Sequence, residues 1–183
     1  MEITNKLAAL EALLFAAGEP LPVPQLAALM GLTKPMVWEL LTQLEEEYKN
    51  SQRGLCLRSV AGGYQLSTKA DFYELVQCLV KTRELKLTNA ALEALAIVAL
   101  HQPVTRAEIE NIRGVKTDRV IATLLDLHLI EERGRKKALG NPVLFGTTQD
   151  FLQVFGLSSL DQLPQIPKAE ALTAAELTEI EDK

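Results

Sequence analysis

The tetrapeptide Leu10-Glu11-Ala12-Leu13 returns as Leu92-Glu93-Ala94-Leu95, an offset of 82 residues (92 − 10). A repeat of this kind limits the architecture before any element is assigned, because each copy must form the same unit. Both copies run on into an apolar stretch, Leu14-Phe15-Ala16-Ala17 and Ala96-Ile97-Val98-Ala99, and then meet proline, at Pro20 and Pro22 in one and Pro103 in the other. After a one-residue slip at that loop the offset becomes 83 (109 − 26): Leu26 matches Ile109, Leu29 Ile112, Gly31 Gly114, Leu32 Val115, Val37 Val120, Leu41 Leu124 and Leu44 Leu127. Gly31 and Gly114 each follow a short amphipathic stretch, where a helix often ends on a left-handed residue and glycine adopts that conformation without a Cβ penalty.

The two copies predict the same order of elements. Helices fall at about residues 5–17 and 89–101, 23–30 and 106–112, and 34–49 and 117–128. Thr88-Asn89 is a capping candidate, and Thr105-Arg-Ala-Glu108 is a capping box in which side chain and backbone satisfy each other at the helix start. Only a few residues separate the second and third helices, the helix-turn-helix spacing. The period then changes to alternation: Leu55–Val60 and Tyr64–Thr68 flank a glycine turn, and Leu129–Arg133 and Val143–Thr147 flank a longer loop. A fourth helix closes each unit, at about 69–81 and 149–155, the latter capped by Thr147 or Thr148. The fold class is therefore mainly α with small β-hairpin wings (α+β). It comprises two tandem winged-helix domains, 1–81 and 88–163, a linker at 82–87 and a flexible acidic tail at 164–183, where Thr173-x-x-Glu176 could cap no more than a short helix.

Composition enters through what it excludes. With 183 residues, 48% of them apolar, the chain can bury one or two small cores without a disulfide or a metal. Cys56 and Cys78 lie in different elements and form no Cys-x-x-Cys pair. The N-terminus reads as neither a signal peptide nor a membrane span, which places the chain in the cytoplasm. The net charge of −5 is carried by the tail: residues 1–87 hold 9 basic and 10 acidic side chains, 88–160 hold 8 and 8, and 161–183 hold 2 and 6. Neither unit has the basic excess that a phosphate backbone selects.

Motifs for nucleotide binding or acyl transfer are absent, and His101 and His128 each read as helix-end residues facing C-terminal carbonyls. No catalytic residue, cofactor, metal or small-molecule substrate is expected. A winged-helix DNA-binding transcription regulator is the alternative. Against it, the third helix of the first unit ends in Glu45-Glu46-Glu47, and the second unit's Lys116 and Arg119 are offset by Asp118 and Asp126. The only basic cluster is Arg133, Arg135, Lys136 and Lys137 in the second wing, a candidate weak DNA contact. Apolar surplus is the stronger signal. Met36 and Trp38 stand on the shoulders of a core arc, Ile121 and Leu125 widen another, and Leu95-Ala-Ile97-Val98-Ala-Leu100 is apolar all round. Such surfaces favour protein partners.

Certain strings carry a resemblance. Glu11–Pro20, Leu92–Ile97, Gln102–Glu110, Ile112-Arg-Gly-Val115, Gly134-Arg135-Lys136, Gly146–Leu152 and Phe155-Gly-Leu-x-x-Leu160-x-x-Leu163-Pro164 resemble the segregation and condensation protein B family, over about residues 7–164. Asn141, where the family has arginine before Pro142, and Lys116-Thr-Asp-Arg119 depart from it. The resemblance implies a homodimer formed through the N-terminal domain. It also implies binding to the kleisin and, through it, to the SMC ATPase during chromosome condensation and partition, near the nucleoid, with any DNA contact indirect or weak; the apolar surplus of the C-terminal domain makes that domain the candidate for the kleisin. On that reading Leu14, Met36 and Trp38 are candidates for the dimer interface, and Ile97, Leu100, Ile121 and Leu125 for the kleisin site.

Overall fold

The computed structural model describes residues 5–50, 52–79 and 87–164. In the first unit α1 (Lys6–Ala17) opens where the Asn5 side chain accepts from the Ala8 N–H and closes on left-handed Gly18. α2 (Val23–Met30) ends on left-handed Gly31, and α3 (Lys34–Tyr48) follows after three residues. Strands β1 (Leu55–Val60) and β2 (Gly63–Thr68) pair antiparallel with Val60 opposite Gly63, which leaves Ala61-Gly62 as a two-residue turn. A 3-10 turn (Ala70–Phe72) leads into α4 (Tyr73–Leu79).

The second unit repeats the plan with α5 (Asn89–His101), β3 (Val104–Thr105), α6 (Arg106–Arg113), α7 (Asp118–Asp126), β4 (Ile130–Arg135), β5 (Val143–Thr147) and α8 (Gln149–Phe155). The capping assignments hold: Thr88 accepts from Ala91 N–H, Thr105 and Glu108 form a reciprocal capping box, and Thr148 rather than Thr147 caps α8. Strand β3, absent from the sequence reading, joins the hairpin to give the sheet order β3-β5-β4. The first unit has only a trace of it, the reciprocal 2.9 Å backbone bonds between Leu21 and Tyr64. Gly63 is required there, since a Cβ would stand 2.7 Å from the Leu21 carbonyl carbon. Helix, short strand, helix, helix, hairpin is the winged-helix order, complete in the second unit and present in the first with a single bridge in place of the short strand.

Each unit fills its own core. Leu10, Leu14, Leu26, Val37, Leu41 and Leu44 converge in the first, and Ala94, Leu95, Val98, Ile109, Leu124, Leu129 and Ile130 in the second. Burying each large aliphatic side chain contributes about 1.5–3 kcal/mol. The repeated tetrapeptide is out of structural phase. Leu10 is buried, whereas its sequence match Leu92 is 43% exposed. By burial, Leu10 corresponds to Ala94 and Leu14 to Val98, an offset of 84 (94 − 10). The slip to 83 therefore removes a residue at the proline loop rather than adding one.

Other boundaries also move. α7 ends at Asp126, so His128 lies past the helix in a left-handed conformation (φ 55) and not in its last turn. The expected first-unit closing helix begins as the 3-10 turn, and α4 starts only at Tyr73. Residues 80–81 of that helix, the linker up to 86 and the tail from 165 lie outside the described residues.

Candidate interaction surfaces

The basic wing is tied down by its own unit. Glu108, fixed in the capping box at the start of α6, accepts from the Thr105 N–H and hydroxyl at 2.8 Å each and from Lys136 Nζ at 2.6 Å. The Lys136 ammonium, followed by the Thr105 donors, pulls its carboxyl down to about 2. Arg133 donates through Nη2 to the Thr147 carbonyl at 2.7 Å, and its Nε pairs with Glu131 at 3.0 Å. Arg135 Nη1 donates to the Asn141 carbonyl at 3.1 Å. Among the described residues Lys137 alone of the four has no such partner. Three of the four candidate DNA contacts thus already hold the wing's shape. Asn141 sits at φ 42, a left-handed conformation that asparagine tolerates better than most residues.

Two of the strings behind the family resemblance meet at Gln102. Its side-chain NH2 donates to the Ala99 carbonyl (3.1 Å) and Thr147 Oγ1 (3.0 Å), and its carbonyl accepts from the Thr147 N–H (2.8 Å). Gly146 has no room for a side chain beside it, since a Cβ would lie 2.9 Å from Gln102 Oε1 and 2.8 Å from Arg133 Cγ. The end of α5 is thereby pinned to β5 and to the root of the wing.

The apolar candidates divide. Leu14 and Ile121 are taken up by the cores of their own units, which removes them from any outer surface. For Ile121 the reason is rotational: α7 turns Ile121 and Leu124 inward and leaves Val120, Leu125 and Leu127 at the margin. Ile97, Leu100 and Leu125 are half-buried, Met36 sits at the surface, and Trp38 is 50% exposed with its ring edge-on to Tyr64 at 5.7 Å. Sequence reasoning expected the helix α4 but missed its exposed apolar side chains. None of its residues is buried, and Tyr73, Leu75 and Leu79 all face outward, the leucines 72% and 85% exposed. It also missed Leu29 and Ile112, matched positions near the ends of α2 and α6 that are exposed in both units. The signal for this pair was available, as a large apolar residue two places before a matched helix-ending glycine.

Among the described residues no group of three His, Cys, Asp or Glu could hold a metal ion, and no helix is long and apolar enough to cross a membrane. Two winged-helix units with separate cores, each with apolar side chains left at its surface, define a tandem winged-helix chain. The family model described as "Segregation and condensation complex subunit ScpB" matches residues 8–166, and the chain belongs to this family. Segregation and condensation protein B of Symbiobacterium thermophilum is 48% identical over 157 residues, covering 86% of this chain and 72% of the relative. That of Moorella thermoacetica is 48% identical over 167 residues, covering 91% and 86%. Among solved structures, a dimer of ScpB N-terminal domain complexed with ScpA peptide is similar to 45% of this chain and 99% of its own, at 28% identity and TM-score 0.42.

Proposed function

We propose that the chain is a non-catalytic accessory subunit of a condensin-like complex in chromosome segregation, one that pairs with a second copy through its first unit and holds the kleisin with its second. The observation that carries this reading is the state of α5. That helix fills its core with Ala91, Ala94, Leu95 and Val98 and still leaves Leu92 43% exposed and Ile97 and Leu100, three residues apart, half-buried, as is Leu125 of α7. An apolar ridge of this kind on a rigid helix suits an amphipathic segment of a partner. Family membership supports the process and the accessory role. DNA contact is left to Lys137 and is weak, because its neighbours are occupied.

Mass in solution with and without a kleisin tests the reading. The expected results are a dimer alone and a larger complex with the kleisin. Replacing Leu100 and Leu125 with glutamate should weaken kleisin binding by at least about tenfold, since two apolar anchors carry more than 1.4 kcal/mol. Undiminished binding by a folded double variant would move the kleisin site off this ridge.

A further inference from the structure

The tip of the first unit's hairpin reaches the second unit. The Ala61 N–H donates to the Leu157 carbonyl at 2.8 Å and the Gly62 N–H to the Ser158 carbonyl at 2.9 Å. Ala61 also packs against the core cluster of the second unit. Farther down β1, the Arg58 guanidinium lies against Gly156, its Nη2 2.6 Å from where a Cβ would stand. The receiving stretch is itself fixed: Leu157 N–H returns to the Leu152 carbonyl at 2.8 Å, and Ser158 N–H donates to Gln162 Oε1 at 2.6 Å.

The turn conformation is a separate observation. Ala61 has φ 49 and Gly62 φ 72, so both turn residues are left-handed. Asn-Gly or Gly-Gly is the usual choice for such a turn, and alanine is strained in it. Strain of this kind persists where the surroundings hold it. Here they do, because two consecutive N–H groups find acceptors and the alanine methyl finds apolar cover across the junction. Gly156 answers from the other side, since it is left-handed (φ 66) and a Cβ there would displace the guanidinium end of Arg58.

We infer that the first wing is an intramolecular latch and that Gly156–Ser158 is its catch, so that the two units hold one relative orientation and present their surfaces in fixed register. The wing of the first unit is then neither a nucleic-acid contact nor a free loop. The latch does not depend on which partner either unit binds.

Amide hydrogen exchange by NMR on the full chain tests it. An unlatched hairpin tip would exchange Ala61 and Gly62 near the rate of an open chain. The latch slows both by about tenfold or more, the effect of a hydrogen bond with ordinary net strength. Arg58→Ala, an exposed change outside both cores, and Gly156→Ala should each speed these two amides. Gly114→Ala is the control: it places the same left-handed strain (φ 70) where nothing lies within 4 Å, and should leave them slow. Fast exchange in the unaltered chain, protection that rises with chain concentration and so arises between copies, or rates unmoved by both junction variants would each overturn the proposal.

Discussion

Glu108 shows how one carboxylate can organise a wing. Its value falls from 4.5 to about 2, with Lys136 the largest cause and the Thr105 backbone and hydroxyl next. Because the folded value is depressed, the stability it contributes is fully present above about pH 4.5 and is lost as pH falls toward 2. A carboxyl 13C titration should therefore place the Glu108 midpoint near 2, and Lys136→Ala should raise it toward 4.5. An unmoved midpoint would assign the effect to Thr105 instead. Thr105→Ala should cost the second unit roughly 1 kcal/mol in urea unfolding, the usual loss for a helix cap. Tyr48 is the opposite case. Burial first, and then its bond to Glu11, push the phenol up to about 12, so its contribution is present below pH 10 and fades as pH rises through 12. In an ultraviolet titration one tyrosine should ionise near 12, and that transition should vanish in Tyr48→Phe.

At the scale of elements, what could be read from sequence was what local chemistry dictates. Gly31 and Gly114 end their helices in the left-handed region, and Thr88 and the Thr105–Glu108 box open theirs, because those side chains have few other uses at those places. Elements set by the partner strand were not legible. β3 is two residues long, too short to show a period, and exists because β5 offers it an edge. Helix phase was also hidden, since a run such as Leu95–Leu100 is apolar in every direction and only packing chooses the buried face. That choice separates two identical tetrapeptides. Leu10→Ala should destabilise the first unit by about 2–5 kcal/mol, as a large-to-small change in a filled core does. Leu92→Ala, at a surface position, should change stability by less than about 0.5 kcal/mol. Thermal or urea unfolding of the two variants checks this. Equal losses would restore the offset of 82 and refute the burial register.

For the whole molecule the proposed pairing leaves open which apolar surface of the first unit a second copy would cover. The sequence pointed to Leu14, Met36 and Trp38, but Leu14 is internal and Trp38 is already half-covered and braced by Tyr64. α4 has more to gain. None of its described residues, Tyr73–Leu79, is buried within its own unit. Leu75 and Leu79, one helical turn apart, fall on one face and are the most exposed leucines of the first unit's described residues. In a two-fold dimer each is covered twice, once in each copy, so a pair of substitutions removes four anchors. Leu75→Glu with Leu79→Glu should therefore raise the dimer dissociation constant by at least about a hundredfold, and Trp38→Ala by about tenfold or less. Sedimentation equilibrium of the full chain reads both, with circular dichroism showing that the helices remain. If the α4 double variant stays a dimer while Trp38→Ala becomes a monomer, the pairing surface belongs to the start of α3, and α4 is left to another partner.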